Sequence, residues 1–202
     1  MTLPNKLTLM RILLVPVMII ISVIDALNNN YIGSTHLSIA NLVNVIIFIV
    51  ASLTDFLDGY LARKNNQVTT FGKFADPLAD KMLVISSLII LMNDYLTHAD
   101  STLYRAKIEA WVVCVIVIRE LMVSGIRLVA AEHGEVLAAG WSGKIKTAFT
   151  MVTIILCFLN GLFSSGVMTI ICLVCVYISA LLTIYSGLEY LIKNRKIVFS
   201  SI

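Results

Sequence analysis

Charge is what this sequence has least of. Of its 202 residues, 13% are Asp, Glu, Lys or Arg, against roughly 25% in soluble domains. Hydrophobic residues make up 59%, and the mean hydropathy is +0.94. The shortage excludes an ordinary water-soluble domain and leaves an integral membrane protein, long enough for one compact bundle. A net charge of +3 says nothing of nucleic acid. Ligand chemistry based on sulfur or imidazole is thin too. Cys172 and Cys175 have CxxC spacing, but no second CxxC or nearby His completes a metal site. With Cys114 and Cys157 they fall inside apolar runs and read as small apolar residues facing lipid or protein. His36, His98 and His133 are scattered. No internal repeat is visible, so residues 1–202 read as one domain. No small-x-small cleavage site follows the first apolar run, which ends Ile24-Asp25-Ala26-Leu27-Asn28. That run is expected to stay as a first membrane helix.

Long apolar runs are what the chain has instead. A spanning helix needs about 20 mostly apolar residues. Six segments qualify: Leu7–Leu27, Leu37–Leu61, Pro77–Leu96, Ala106–Ala131, Thr147–Leu162 and Val167–Leu191. The fold class is therefore all-α, six transmembrane helices in one bundle. Basic residues set the orientation. Twelve of the fifteen fall at or near one side, Arg119 lies deeper in the fourth segment, and Arg105 and Lys107 are left for the other side. Both termini, and the loops 62–76 and 132–146, are expected in the cytoplasm.

Four of the chain's twelve carboxylates sit at that side, in Asp55-Phe56-Leu57-Asp58-Gly59-Tyr60-Leu61-Ala62-Arg63 and Gly72-Lys73-Phe74-Ala75-Asp76-Pro77-Leu78-Ala79-Asp80. A charge at the bilayer centre costs about 2.5–3.5 kcal/mol on insertion scales, so four together need a shared reason to stay ionised. Asp55 and Asp58 are three apart and Asp76 and Asp80 four apart, so each pair occupies one helix face. Converging carboxylates suit hard divalent cations, Mg²⁺ or Mn²⁺, and two such ions can clamp a diphosphate. Gly59, Ala62 and Gly72 leave room for a nucleotide to approach the backbone, and Arg63 offers a fixed cation to a phosphate oxygen. Asp80, last in the series and next to Lys81, is the candidate base. The spacing is not that of an EF-hand loop.

The series Asp55, Asp58, Gly59, Ala62, Arg63, Gly72, Asp76, Asp80 resembles the signature of the CDP-alcohol phosphotransferases, DxxDGxxARx8GxxxDxxxD, at every position. The resemblance implies a six-helix membrane fold and a homodimer. It also implies two metal ions on Asp55, Asp58, Asp76 and Asp80, with Asp80 as general base. The cytidine diphosphate portion would be received by Asp58, Gly59, Ala62, Arg63 and Gly72.

The acceptor must be read elsewhere. Arg119-Glu120 and Arg127 are placed so that both arginines lie near one helix face, with Glu120 as local counter-ion. Gly143-Lys144-Ile145-Lys146-Thr147 opens the fifth segment on the same side, where backbone N–H groups and lysines favour an anion. Flanking positive charge accounts for Lys144 and Lys146 but not for Arg119. These residues, with Gly125, Gly134 and Ala139, are similar to the bacterial phosphatidylglycerophosphate synthase branch. So is Leu3-Pro4-Asn5-x-Leu7-Thr8-x2-Arg11, which in that branch precedes the first span as a surface helix. The branch implies CDP-diacylglycerol and glycerol 3-phosphate as substrates, with the acceptor phosphate on Arg119, Arg127, Lys144 and Lys146 and with Asn5 and Thr8 on the nucleotide side. Alternatives are another acceptor (inositol phosphate or phosphatidylglycerol) or, from a different class, a divalent-cation transporter. The outer loops, 28–36 and 93–107, are longer than in that branch.

Overall fold

A computed structural model describes residues 3–64, 70–97, 105–132, 137, 140–163 and 166–195. The side chains of 3–4, 56–64, 70–71, 73–74 and 132 lie outside that description. Among the described residues the chain is helical: α1 (Leu3–Val23), the short α2 (Asp25–Asn28), α3 (Ile39–Lys64), α4 (Thr70–Thr97), α5 (Ala110–Glu132), α6 (Trp141–Phe158) and α7 (Gly166–Lys193). A 3₁₀ turn, Asn160–Leu162, joins α6 to α7. α1 packs on α3 and α4, α6 on α7, and α5 on α7, while α3 and α4 also reach α6.

The core explains this arrangement. Met18, Phe48, Leu83, Ile116, Ile154 and Phe158 are fully buried where the helices meet. Ala51, Ala79 and Ala180, equally buried, let backbones approach closely, which is how helices associate when lipid is as apolar as leucine. Leu13, Ile20, Ile118, Leu121, Leu128, Leu181 and Ile192 face outward and are exposed. That apolar exterior is much larger than a soluble protein leaves in water, so this is a membrane protein. Among the described residues, three stretches are long and apolar enough to cross a bilayer by length and composition: Asn5–Val23, Trp141–Leu162 and Gly166–Lys193. α3 contributes a shorter apolar run, Ile39–Asp55. α4 and α5 are interrupted by Asp76, Asp80 and Lys81 and by Arg119, Glu120 and Arg127.

Several expected boundaries move. α1 is one continuous helix from Leu3, with no separate surface helix before the span. Asn5, Thr8 and Arg11 recur every three residues and are buried, so this turn is held inside the bundle. α4 starts at Thr70 rather than Pro77 and carries the proline internally, forgoing one backbone hydrogen bond. As a result Gly72, Asp76 and Asp80 share one helix at four-residue spacing. α6 starts at Trp141, not Thr147, so Lys144 and Lys146 are already helical.

The end of the bundle away from the aspartates is closed by polar contacts. Arg105 pairs with Asp94 and donates to the Tyr31 hydroxyl at 3.3 Å, and Asn41 Nδ2 donates to Asp94 at 3.0 Å. Residues 30–39 form a hairpin turn with Gly33 at φ 58°, a left-handed value suited to glycine. Its His36 N–H donates to the Gly161 carbonyl at 2.9 Å. A Cβ on Gly161 would lie 2.4 Å from the His36 carbonyl oxygen, a backbone atom that cannot step aside. Gly161→Ala is expected to destabilise the fold by about 1–3 kcal/mol, the cost of overpacking. A lowered thermal unfolding midpoint in detergent is the check; an unchanged midpoint contradicts the contact.

Candidate active site

The aspartates are organised by α1. Arg11, 0% exposed, donates from one nitrogen, Nη1, to Asp55 Oδ1 on α3 and to Asp80 Oδ1 on α4, both at 2.7 Å. One turn earlier Thr8 Oγ1 donates to Asp76 Oδ1 at 2.5 Å. The pattern follows from electrostatics. A guanidinium taken out of water needs carboxylates in good geometry, and two carboxylates facing each other need a cation between them. Asp55 and Asp80 keep 33% and 38% of their side-chain surface accessible, so the cluster opens to an incoming group.

Three of the four expected metal-binding carboxylates are thus gathered where α1, α3 and α4 meet. Asp58, Gly59, Ala62 and Arg63 lie on the last turns of α3, but their side chains fall outside the described residues. Gly72 is buried on α4, one turn before Asp76. Asn5 and Thr8, expected on the nucleotide side, are both buried, and Thr8 bonds Asp76. Among the described residues, no three Asp, Glu, His or Cys side chains are close enough to enclose an ion.

The basic residues of α5 and α6 form a second group. Lys146, 3% exposed in its side chain, donates to Glu120 Oε1 at 2.5 Å, and Arg119 Nη1 donates to the same oxygen at 3.1 Å. Glu120 is therefore counter-ion to both cations, and it holds them side by side. Arg119 is also shaped by absent side chains. A Cβ on Gly187 of α7 would meet its Cγ at 3.0 Å, and one on Gly143 of α6 would meet its Nη2 at 3.5 Å. Arg127 donates from Nε to the Tyr190 hydroxyl at 3.3 Å, with its guanidinium 5.7 Å from that ring's centroid. Lys144 is exposed and leans on Trp141, its ammonium 5.1 Å from the ring centroid. Thr147 turns back on its own helix, donating to the Gly143 carbonyl at 2.9 Å.

One cavity of about 680 Å³ joins the two groups. Arg119, Arg127, Lys144 and Lys146 all line it, and so does Asp80. Asp80 is thus common to the aspartate cluster and to the cationic cavity. Reading the sequence missed two contributors. Arg11 is expected from the sequence only in a surface helix before the first span; its i, i+3 relation to Thr8 is the signal that places the two on one face. The end of α7, through Ser186, Glu189, Tyr190 and Lys193, completes the wall with Asn194 just beyond it, and nothing in its apolar pattern announces this.

Comparison with known proteins agrees with the motif. Residues 1–185 match the CDP-alcohol phosphatidyltransferase family. A CDP-diacylglycerol–glycerol-3-phosphate 3-phosphatidyltransferase of Bacillus subtilis (strain 168) is 42% identical over 193 residues, covering 95% of this chain and 94% of its own length. Proteins of the same name from Rickettsia felis and Haemophilus influenzae are 34% and 33% identical over 196 and 195 residues. They cover 96% and 93% of this chain, and 96% and 90% of their own lengths. The similarity is to phosphatidyltransferases, and the matched residues include both the aspartate series and the basic segment. The chain belongs to the CDP-alcohol phosphatidyltransferase family.

Proposed function

We propose that this protein transfers the phosphatidyl group of CDP-diacylglycerol to glycerol 3-phosphate, giving phosphatidylglycerophosphate and CMP. The observation that carries this reading is the position of Asp80, which faces the aspartate cluster on one side and a cavity with Arg119, Arg127, Lys144 and Lys146 on the other. An acceptor with a dianionic phosphate needs several convergent cations. A neutral acceptor offers these four cations no anion, and Glu120 supplies only one negative charge among them. The names of the similar proteins, whose acceptor is glycerol 3-phosphate, support the same choice.

Asp55, Asp58, Asp76 and Asp80 would hold two divalent cations, Mg²⁺ or Mn²⁺. The donor set fits: all are hard carboxylate oxygens, and Asp55 and Asp80 already aim one oxygen each at a single cationic point. Such ions, when bound, neutralise the diphosphate and the charge that develops on the leaving group. The chain's own residues do the rest. Arg119, Arg127, Lys144 and Lys146 hold the acceptor phosphate. Asp80 takes the proton from the 1-hydroxyl of glycerol 3-phosphate. That oxygen bonds to the phosphorus bearing the diacylglycerol as the bond to CMP breaks, in line. Gly59, Ala62, Arg63 and Gly72 receive the cytidine diphosphate portion, and the acyl chains remain in lipid.

The same proposal includes six membrane spans, both termini cytoplasmic, an active site facing the cytoplasm of the cell membrane, and a homodimer as the family resemblance implies. Its topological support is charge asymmetry. Lys81, Arg119, Arg127, Lys144, Lys146 and Lys193 line the cavity at the site end, whereas Arg105 joins Asp94 and Tyr31 at the other.

Purified protein given CDP-diacylglycerol and a panel of acceptors tests the assignment. CMP release is expected with glycerol 3-phosphate and not with inositol phosphate or phosphatidylglycerol. Release with either of those instead overturns the acceptor. Arg119→Met is expected to raise the KM for glycerol 3-phosphate by at least about tenfold, as for loss of a hydrogen bond between charged groups, with the KM for CDP-diacylglycerol little changed. An unchanged acceptor KM removes Arg119 from the phosphate seat.

A further inference from the structure

Lys81 follows the proposed base directly, and as a sequence feature it is indistinguishable from a charge marking the membrane boundary. A boundary lysine extends its flexible stem toward water. Lys81 does not. Its ammonium crosses from α4 to α5 and donates to the Ser124 hydroxyl. That hydroxyl is itself oriented, since Ser124 Oγ donates its proton to the Glu120 carbonyl at 2.7 Å and so presents a lone pair to Lys81. Lys81, Ser124 and Glu120 all line the cavity that holds Asp80, Arg119 and Arg127.

We propose that Lys81 is a further ligand of the acceptor's phosphomonoester, with Ser124 as its positioning residue. The inference rests on reading the cavity as the acceptor seat, and it adds a cation on the side of that seat next to the base. An ammonium has three N–H donors. Ser124 takes one and fixes the direction of the others, which are offered to an oxyanion in the cavity. Arg119 and Lys146 approach the cavity from α5 and α6, both tied to Glu120. Lys81 approaches from α4, adjacent in the chain to Asp80. A ligand bridging these cations therefore has its anionic end fixed relative to the carboxylate that takes its proton. An acceptor without phosphate cannot satisfy Lys81, which makes this lysine a determinant of specificity as well as of affinity.

The test compares Lys81→Met, Lys81→Arg, Ser124→Ala and Arg119→Met in the full-length protein, by CMP release at saturating CDP-diacylglycerol, with inorganic phosphate as a competing probe. Lys81→Met is expected to raise the KM for glycerol 3-phosphate, and the inhibition constant of inorganic phosphate, by about tenfold, the effect of one charge-assisted hydrogen bond. The KM for CDP-diacylglycerol should stay unchanged. Lys81→Arg, which keeps the charge, should recover most of the loss. Ser124→Ala should weaken acceptor binding in the native background and have no effect in the Lys81→Met background, because it acts through the lysine. If Arg119→Met raises the acceptor KM while Lys81→Met leaves both constants at native values, Lys81 is a boundary charge and the proposal falls, with the acceptor seat intact. If neither substitution moves them, the cavity is not the acceptor seat and both readings fall together. Should Lys81→Met not fold, Lys81→Gln takes its place, and acceptor KM and phosphate inhibition constants at native values in Lys81→Gln overturn the proposal.

Discussion

Asp80→Asn lowers kcat by about 10²–10⁴-fold, the range for removal of a general base. The substitution keeps the shape of the side chain and one oxygen to accept from Arg11, which donates to Asp80 Oδ1 at 2.7 Å. It removes the negative charge and the basicity. Binding of CDP-diacylglycerol, measured in detergent without acceptor, should therefore remain close to native. The cavity cations should also stay in place, because Glu120, not Asp80, ties Arg119 to Lys146. Near-native turnover by Asp80→Asn removes this residue as the base. Loss of nucleotide binding together with turnover points instead to Asp80 acting through the metal site and its tie to Arg11 rather than as the base.

The second large effect concerns Arg11, and it is an effect on stability before it is one on rate. Arg11→Met leaves Asp55 and Asp80 facing each other without their shared cation. Breaking a fully buried ion pair costs about 3–5 kcal/mol. Here both carboxylates keep about a third of their surface accessible, and water screens part of the repulsion, so about 2–3 kcal/mol is expected. The thermal unfolding midpoint in detergent reads it. A divalent cation that binds the same carboxylates should restore more of the midpoint in Arg11→Met than it adds to the native protein, because it supplies the missing charge. A variant as stable as the native protein without added metal contradicts the central place given to Arg11. A loss of stability that Mg²⁺ and Mn²⁺ both fail to restore counts against the aspartates as their site.

The two substitutions act on different sides of one carboxylate. Asp80→Asn should spare the midpoint and remove turnover. Arg11→Met should lower the midpoint, and any loss of turnover should shrink as metal is added. Together they separate what holds the aspartates from what the aspartates do.

The spacing of the aspartates was legible because helix geometry alone fixes which residues share a face. Asp76 and Asp80 point the same way on any helix, and no other part of the chain is needed to say so. Glu120 was readable as a partner of Arg119 for a simpler reason, that the two are adjacent in the chain. Local reading failed for Arg11, because an arginine in the first turns of an apolar helix looks the same whether it flanks a membrane or bridges two carboxylates. The difference lies in α3 and α4, which are 44 and 69 residues away in the chain. α7 was unreadable for a similar reason. Tyr190 closes an apolar helix in an ordinary way, and its hydroxyl gains a role only when Arg127 on α5 packs against it.

The sequence by itself determined that this is a membrane-bound helical protein, and it named the residues of the phosphotransfer motif, because hydropathy and helix periodicity are local properties. Tertiary structure decided that Arg11 ties two of those aspartates together and that Asp80 borders the cationic cavity. It also decided that Lys81 turns inward to Ser124. Those outcomes depend on which helix faces meet, and buried charges choose their partners across helices, where no spacing along the chain records the choice.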